Sequence, residues 1–268
     1  MSAIQACRPA LDGISGGENA GLLLDFYLSK TGDEGKDQGK ARRELFDRAV
    51  AAACASVDVY RAAFDRWARE VNPGKSKPVH VAGRLIVGLG AGTVLETGIT
   101  LHHTYGVPII PGSALKGLAS AYCDAVWGAR NEVYHKGHSD KTHETLFGAG
   151  DDSGCIVFHD AWILPESLEK PADDHQRRTS GLLLDVMTPH HTRYYMIGGE
   201  ENPPADTDAP IPVTFLSVAG DFRLAVSCNA GTPEQKEQWA ALAMELLLQA
   251  VADWGAGGKT SSGYGRMA

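Results

Sequence analysis

The chain of 268 residues carries a glycine-rich segment near its end whose residue types suit phosphate binding. Five glycines lie between Gly255 and Gly265, and glycine leaves the backbone open to close approach by another molecule. Lysine and hydroxyl side chains between the glycines can donate hydrogen bonds, and the basic residue Arg266 follows. The pattern therefore predicts a phosphate cradle. Its predicted binding residues are Gly257, Gly258, Lys259, Thr260, Ser261 and Arg266.

Other interpretations of this segment differ in the ligand. Gly258-Lys259-Thr260 is similar to the end of the phosphate loop of nucleotide-binding enzymes. That motif requires a glycine five residues before Gly258, where this chain has Asp253. A flexible tail without function stays open as an alternative. The backbone of RNA or DNA is the phosphate ligand that fits the segment best.

A second candidate phosphate site lies at the start of a predicted helix. Ser113 is predicted to be the N-cap of a helix that runs to about Trp127, with Gly128 just past its end. Helix N-termini attract anions, and Lys116 lies outside the apolar stripe of this helix. We expect Ser113 and Lys116 to bind phosphate, while a capped helix with a solvated lysine stays open as an alternative.

Two adjacent carboxylates are the candidates for catalysis. Asp151 and Asp152 stand among glycines and could hold a divalent metal ion for RNA cleavage, although a solvated acidic turn explains the same residues. A cut without metal needs a general base, for which His102 or His103 is available, although strand alternation turns one of them inward. Because no nucleophile, base and orienting group form a set, a non-enzymatic protein is favoured over an endoribonuclease.

Metal binding has one further candidate, a polar loop with three histidines at spacings of three and five residues. Zinc accepts such ligands, but no cysteine lies nearby in the sequence. The histidines are His135, His138 and His143. We expect neither a metal site nor a cofactor.

Composition narrows the class of protein. Hydrophobic residues make up 43% of the chain and charged residues 22%, as in ordinary globular proteins. No apolar run approaches a membrane span, and the five cysteines form no CxxC pair, so we expect a cytoplasmic protein with reduced thiols and no membrane partner. A net charge of -8 weighs against a free, non-specific nucleic-acid binder and favours a protein that holds one strand within a larger assembly.

The elements that must position these residues begin with an N-terminal arm and a long helix. Apolar residues in steps of three and four predict one amphipathic helix from Lys40 to Val71. Residues 1–80 are expected to form an arm and helix packed on a core domain of residues 81–268. The core is expected to carry two insertions, at residues 131–150 and 188–212.

The core is predicted to alternate strands and helices. A capping box at Thr232 starts a final helix that ends near Trp254. A hairpin between strands at 213–218 and 222–228 is predicted to turn at Gly220, and Tyr264 and Arg266 alternate as in a short closing strand. Further strands are predicted at residues 84–88, 96–102, 155–164 and 182–186. This order predicts an α+β fold of the ferredoxin-like (RRM-like) β-α-β-β-α-β type, with large insertions and a long N-terminal helix.

Further segments stand out beside the glycine-rich one. They are Glu96–His102, Tyr105–Pro108, Ile110–Gly117, Asp185–His190 and Pro212–Val218. Together these segments resemble the RAMP superfamily of CRISPR proteins, and within it the sixth-subunit family of the type III-B Cmr effector complex. The similarity extends over about residues 84–268.

The resemblance implies a non-catalytic RNA-binding subunit that caps the backbone filament of an antiviral ribonucleoprotein and holds the guide RNA (crRNA) near its 3′ end. Implied partners are the guide and target RNAs and other Cmr-type subunits, chiefly the neighbouring backbone and small subunits. A metal-dependent endoribonuclease subunit of the same kind of complex is the alternative. The insertion at 188–212 stands where related subunits carry a thumb-like hairpin. Its candidate contact residues are His190, His191, Arg193 and Tyr194.

Overall fold

The computed structural model describes most of the chain. The described residues are 19–28, 36–71, 75–92, 95, 97–169, 181–188, 194, 203, 205, 208 and 212–268. They form a mixed α/β fold in which the strands of every sheet pair antiparallel. Within these residues no helix is long and apolar enough to cross a membrane.

The helices lie in the first part of the chain, in its middle and near its end. They are α1 (Ala20–Phe26), α2 (Lys36–Ala55), α3 (Val57–Val71), α4 (Gly112–Tyr122), α5 (Gly128–Arg130), α6 (Thr142–Phe147) and α7 (Pro233–Asp253). A π-helical turn, Cys123–Trp127, joins α4 to α5. The predicted end of this helix before Gly128 is therefore wrong, because the helical segment continues to Arg130.

Among the described residues, four strands have six to eight residues, and the other five have two or three. They are β1 (Lys75–His80), β2 (Ile109–Ile110), β3 (Gly148–Ala149), β4 (Asp152–Ser153), β5 (Ile156–Phe158), β6 (Ala161–Ile163), β7 (Gly181–Met187), β8 (Val213–Ala219) and β9 (Asp221–Cys228). The strand predicted at 182–186 is confirmed as β7, and the single strand predicted at 155–164 is divided into β5 and β6.

Strand β9 is the centre of the main sheet. β1 pairs with one edge of β9, and β5 and β6 pair in succession with the other edge. β2 extends the sheet beyond β6. At the end of β1, the amide of Ala268 donates to the carbonyl of His80 (3.0 Å), and a bridge joins Val81 to Met267. The predicted closing strand is reduced to this contact, because Tyr264 lies in a turn.

Helices pack on both faces of this sheet. α7 packs on α4, β1 and β9, where Phe222 is fully buried. The next side chain of β9, Arg223, points to the opposite face and lies over the ring of Phe64 in α3. On that face Trp67 of α3 stacks on Trp162 of β6, with ring centroids 5.0 Å apart. Burial of each large apolar side chain contributes roughly 1.5–3 kcal/mol, which makes these contacts the main support of the sheet.

The predicted capping box at the start of α7 is confirmed. The hydroxyl of Thr232 accepts a hydrogen bond from the amide of Gln235 (3.3 Å), and the side chain of Gln235 accepts one from the amide of Thr232 (2.9 Å). Pro233 occupies the first helical turn. The motif fixes the point at which α7 begins and so the position of its far end, where the glycine-rich segment starts.

The predicted hairpin between β8 and β9 is wrong. β8 pairs with β7 in a separate sheet, whereas β9 enters the main sheet. Between them Gly220 has a φ of 127°, and its carbonyl accepts a hydrogen bond from the amide of Val81 (3.0 Å). The hydroxyl of Ser167 accepts one from the amide of Asp221 (2.9 Å). The chain changes sheets at Gly220 because partners from distant segments bind both sides of the bend.

The helix predicted from Lys40 to Val71 is interrupted at Ser56, between α2 and α3. The hydroxyl of Ser56 donates to the carbonyl of Ala53 (2.9 Å), a local bond that competes with regular helix geometry. The amphipathic pattern predicts the helical state correctly but does not reveal this break.

Two of the predicted strands are absent from the described residues. The segments 84–88 and 97–102 each form only an isolated bridge, made by Leu85 and Leu101. The polar segment predicted as a loop at 131–150 contains α6, whose Leu146 is fully buried. In each case contacts with distant parts of the chain, rather than local propensity, decide the conformation.

Candidate nucleic-acid interface

The glycine-rich segment forms a closed loop directly after α7. Its base is closed by the amide of Ala256, which donates to the carbonyl of Gly265 (2.8 Å). Its tip is a 3-10 turn over Thr260–Ser262, preceded by Lys259 in the left-handed conformation (φ 57°). We call residues Gly255–Gly265 the glycine loop.

The glycine loop docks on the segment that follows β1 through main-chain bonds. The amide of Gly258 donates to the carbonyl of Ile86, and the amide of Gly265 donates to the carbonyl of Arg84; each N–O distance is 2.7 Å. A Cβ atom added at Gly257 would lie 2.1 Å from the carbonyl oxygen of Ile86. The backbone predicted to be open to another molecule is therefore occupied by the chain itself at these glycines.

The side chains of the loop, in contrast, face outward. Lys259, Ser261 and Arg266 are exposed, and Thr260 is half-buried. None of these four side chains makes a hydrogen bond or ion pair with another residue in the described part of the chain. These four side chains, three in the glycine loop and Arg266 directly after it, thus present two cations and two hydroxyl groups that are available to a ligand.

A cleft of about 610 Å³ lies between the glycine loop, the end of α7 and the first turns of α4. The loop side contributes Gly257, Thr260, Ser261 and Arg266. The helices contribute Ala114 and Leu118 from α4, and Asp253 and Trp254 from the end of α7. Four of the predicted RNA-binding residues therefore line one cleft, beside Lys259 at the loop tip.

The start of α4 differs from its prediction. Pro111 is the N-cap and makes no side-chain capping bond, so the prediction of Ser113 as N-cap is wrong. A carboxylate oxygen of Asp160 instead accepts a hydrogen bond from the amide of Gly112 (2.7 Å). The chain's own Asp160 thus occupies the helix terminus where a phosphate was expected.

Lys116 is half-buried and lies on another flank of α4 from the cleft. Successive helical residues are rotated by 100°, so Lys116 points about 200° away from both Ala114 and Leu118. It shares its flank with Ser120, which contacts His143 of α6 (3.1 Å). Neither Ser113 nor Lys116 is among the described residues that line the cleft.

The wall of the cleft at the end of α7 is rigid and aromatic. Trp254 keeps 38% of its surface exposed and packs edge-to-face on Tyr122, with ring centroids 5.1 Å apart. The hydroxyl of Tyr122 donates to a carboxylate oxygen of Asp253. Burial raises the pKa of Tyr122, and its bond to Asp253 raises it further. The sequence analysis missed Trp254, although an aromatic residue between a helix end and a glycine is a usable signal.

The two candidate catalytic aspartates lie elsewhere. Asp151 and Asp152 are exposed on the turn that connects β3 and β4, and neither lines the cleft. In the described residues no group of three or more His, Cys, Asp or Glu side chains is placed to hold a metal ion.

The three histidines considered as zinc ligands face different partners. His135 bonds to Asp124 (3.0 Å), His138 lies 3.8 Å from Asp140, and His143 is buried against Ser120. In the described residues these three histidines do not converge as the ligands of one shared zinc ion would have to.

In the described part of the chain, the contacts of the two candidate general bases include no nucleophile and orienting group of the kind that catalysis would require. His102 is half-buried with its ring edge-to-face against Trp162 (4.8 Å), and desolvation lowers its pKa while nearby Asp160 opposes the shift. His103 is exposed, and its carbonyl accepts a hydrogen bond from Asn19 (3.1 Å). The ring contact explains His102 as part of the fold, whereas His103 contributes its main-chain carbonyl.

Three of the four candidate thumb residues are outside what the structure describes. His190, His191 and Arg193 lie outside the described residues, and Tyr194 is described as an exposed residue. Their role in a thumb-like hairpin stays a prediction.

Comparison with known proteins gives the following similarities. The family model described as RAMP superfamily matches residues 78–268. A curated relative, CRISPR system Cmr subunit Cmr6 of Pyrococcus furiosus, is 32% identical over 233 residues. That alignment covers 69% of this chain and 64% of the relative, so this chain spans less than two thirds of the relative's length.

Two solved structures are also similar. A chain of the type III-B Cmr-beta complex bound to cognate target RNA superimposes with a TM-score of 0.54 at 20% identity, over 89% of this chain and 76% of that chain. Cmr6 from Pyrococcus furiosus superimposes with a TM-score of 0.41 at 28% identity, over 72% of this chain and 96% of that chain. The first of these supports the fold.

Proposed function

We propose that this chain, which belongs to the RAMP superfamily, is a non-catalytic RNA-binding subunit of a type III-B CRISPR effector complex. The observation that carries the proposal is the cleft beside the glycine loop. There the main chain holds the loop in place, and the side chains of Thr260, Ser261 and Arg266 line the cleft and are left to a ligand. The exposed Lys259 precedes Thr260 at the loop tip and adds a second cation next to the cleft.

The donors of the cleft suit phosphate rather than base edges. Cations and hydroxyl groups bind phosphodiester oxygens, which are the same in every sequence. A protein that must accept any guide needs this kind of contact. The overall charge of -8 disfavours non-specific binding, so the attraction has to come from local cations such as Arg266 and Lys259.

The names of the relatives extend the proposal to the partners. One relative is a Cmr subunit, and one solved complex is type III-B Cmr-beta with target RNA. We assign this chain to the same kind of complex, in the cytoplasm, as the cap of its backbone filament near the 3′ end of the guide. Its neighbours would be the backbone and small subunits, and the guide and target RNAs.

A ferredoxin-like core is part of the proposal. Order along the chain supports it: β1, helix α4, strands β5 and β6, then β9, helix α7 and the terminal bridge at Met267. We assign residues 81–268 to this RAMP domain, with insertions at 131–150 and 188–212, and residues 1–80 to an extension. β1 lies at the boundary, since it pairs with β9.

Ser113 and Lys116 keep a secondary place in the proposal. Because they stand on the other flank of α4, we expect them to touch RNA only where the strand leaves the cleft. Lys116→Ala should therefore weaken RNA retention less than loss of Lys259 does.

A pair of glycine substitutions tests the proposal. Lys259 and Lys141 are both exposed lysines at positive φ, 57° and 54°, a conformation that glycine adopts without strain. Lys259→Gly should therefore keep the fold while it removes the cation at the loop tip, next to the cleft. Lys141→Gly removes an equal charge from a distant loop and is the matched control.

The measurement is binding of single-stranded RNA by the full chain, and guide retention by the assembled complex, over a range of salt concentrations. Lys259→Gly should weaken binding for all sequences and reduce the slope of log K against log salt by about 0.7, the value for one lost contact to a single strand. Lys141→Gly should match the wild type. Equal binding by all three proteins would overturn the proposal.

A further inference from the structure

The cleft contains more than a phosphate site requires. Phosphate contacts need only cations and donors, yet Trp254, which keeps 38% of its surface exposed, lines the cleft together with Leu118 and Ala114. An exposed, fixed aromatic surface next to donors is the composition of sites where single-stranded nucleic acid stacks its bases. We propose that Trp254 is the stacking platform for one unpaired nucleobase of RNA, whose phosphate is held by Arg266, Thr260 and Ser261.

The inference rests on the proposed function and adds the class of group bound beside the phosphate. Stacking on an aromatic ring is open to every base, since each has a π-face. A guide of any sequence therefore remains acceptable. The cleft volume of about 610 Å³ falls within the range of about 300–1,000 Å³ that is typical of small-ligand sites.

The indole is held in place before any ligand arrives. The amide of Trp254 donates to the carbonyl of Ala250 (3.0 Å), which fixes its backbone to the last turn of α7. The ring makes a T-shaped contact with Tyr122, itself almost fully buried. After it Gly255 turns the chain at a φ of 77°. A rigid platform loses little conformational entropy when a base stacks on it.

Charge decides which part of a nucleotide faces the indole. The carboxylate of Asp253 and the carbonyl end of α7 place negative charge beside Trp254. Both repel a phosphate. Arg266 supplies positive charge from the other segment that lines the cleft. The base is thus directed toward Trp254 and the phosphate toward Arg266.

A binding cycle separates base from backbone. The probes are short single-stranded oligoadenylate and an abasic ribose–phosphate strand of equal length, and the proteins are the full-length wild type, Trp254→Leu and Lys259→Gly. The wild type should prefer oligoadenylate roughly fivefold or more, because stacking is worth about 1–3 kcal/mol per base. Trp254→Leu should lose that preference while its affinity for the abasic strand stays unchanged. Lys259→Gly should weaken both probes equally.

The outcomes distinguish this inference from the function on which it rests. If Lys259→Gly weakens both probes but Trp254→Leu keeps the preference for oligoadenylate, the stacking inference is overturned and the proposed function stands. If neither variant changes binding of either probe, the proposed function fails as well.

Fluorescence provides a second measurement that tolerates a poorly folding Leu variant. Trp254→Phe keeps an aromatic ring and should retain most of the preference. Subtracting the emission of Trp254→Phe from that of the wild type gives the emission of Trp254, which oligoadenylate should quench. The emission of Trp127, obtained in the same way with Trp127→Phe, should be unaffected because Trp127 lies outside the cleft. Quenching of Trp254 by neighbouring subunits without RNA would assign the cleft to a protein contact and overturn the inference.

Discussion

The glycine loop and the polar loop (residues 131–150) have glycines at positive φ in common, and each contains a lysine in the left-handed conformation. They are held by different atoms. Main-chain bonds to Ile86 and Arg84 fix the glycine loop. In the polar loop, side chains do much of the fixing: His135 with Asp124, and Glu144 with the amide of Gly137 (2.6 Å).

This difference explains why only one of the two loops is a candidate interface. A loop that is fixed through its backbone keeps its side-chain donors for a ligand. A loop that is fixed through its histidines and carboxylates already uses those groups internally, as the contact of buried His143 with Ser120 illustrates. Residue types alone do not distinguish the two cases, since both loops are rich in polar residues and glycine.

The largest effect on the free energy of unfolding is expected from a side chain placed where the main-chain hydrogen bonds close the glycine loop. In Gly265→Ala the new Cβ would lie 1.9 Å from the carbonyl oxygen of Ala256, at a φ of 76°. Since neither strain nor clash can relax without opening the loop, we expect a loss of about 3 kcal/mol or more in the free energy of unfolding. Urea denaturation measures it.

Two further glycines are the controls for this prediction. Gly263 and Gly137 also have positive φ, 90° and 82°, but a Cβ added there meets nothing within 4 Å. Their alanine variants should lose only about 1–2 kcal/mol, the cost of a left-handed backbone. A loss in Gly265→Ala no greater than in Gly263→Ala would contradict the backbone account of the glycine loop.

Acid should loosen the polar loop before the glycine loop. The pKa of Asp124 is lowered mainly by a hydrogen bond from the amide of Lys136, and further by its hydrogen bond with the side chain of His135. The pKa of Glu144 is lowered by hydrogen bonds from its own amide and from that of Gly137. A carboxyl with a lowered folded-state pKa stabilises the fold above its unfolded pKa. That stabilisation is lost as the pH falls through the folded value.

The window for this effect therefore lies below about pH 4, the ordinary pKa range of Asp and Glu. Hydrogen exchange should show the protection factors of the Lys136 and Gly137 amides fall there, while Gly258 and Gly265 stay protected by carbonyl acceptors that do not titrate. Simultaneous loss of protection in both loops would mean that the polar loop is not held by its carboxylates.

The smallest effect is expected at the two aspartates beside the polar loop. Asp151 and Asp152 are exposed and belong to no described metal cluster. Alanine at either position should change the free energy of unfolding by less than about 0.5 kcal/mol and leave target cleavage by the assembled complex intact. Loss of cleavage with retained RNA binding would favour the endoribonuclease alternative.

Sequence reasoning succeeds where the determining contacts are local. The capping box at Thr232 needs residues within one turn, and the structure has it as predicted. The cap of α4 could not be predicted in this way, because Asp160 reaches Gly112 from 48 residues away. Gly220 is an ordinary hairpin signal in the sequence. The pairing of β8 with β7, and of β9 with the strands of the main sheet, overrides that signal.

In the candidate site, too, features set by local residues could be predicted from the sequence, and features set by distant contacts could not. The glycine content near Lys259 predicts close backbone approach, and the structure has such an approach, but the neighbour is the chain's own Ile86. The helical period places Lys116 outside the apolar stripe, but only the packing of α4 against α7 determines which flank meets the loop. For the same reason Leu118 and Trp254 enter the cleft without a sequence motif.

The central claim is that RNA lies in the cleft beside the glycine loop. Its most direct test is photocrosslinking of 4-thiouridine-substituted guide RNA in the assembled complex, with the attachment sites mapped by mass spectrometry. We predict crosslinks on this chain within residues 254–266 and their loss in Lys259→Gly, with Lys141→Gly unchanged. Crosslinks confined to the polar loop, or none within residues 254–266, would contradict the claim.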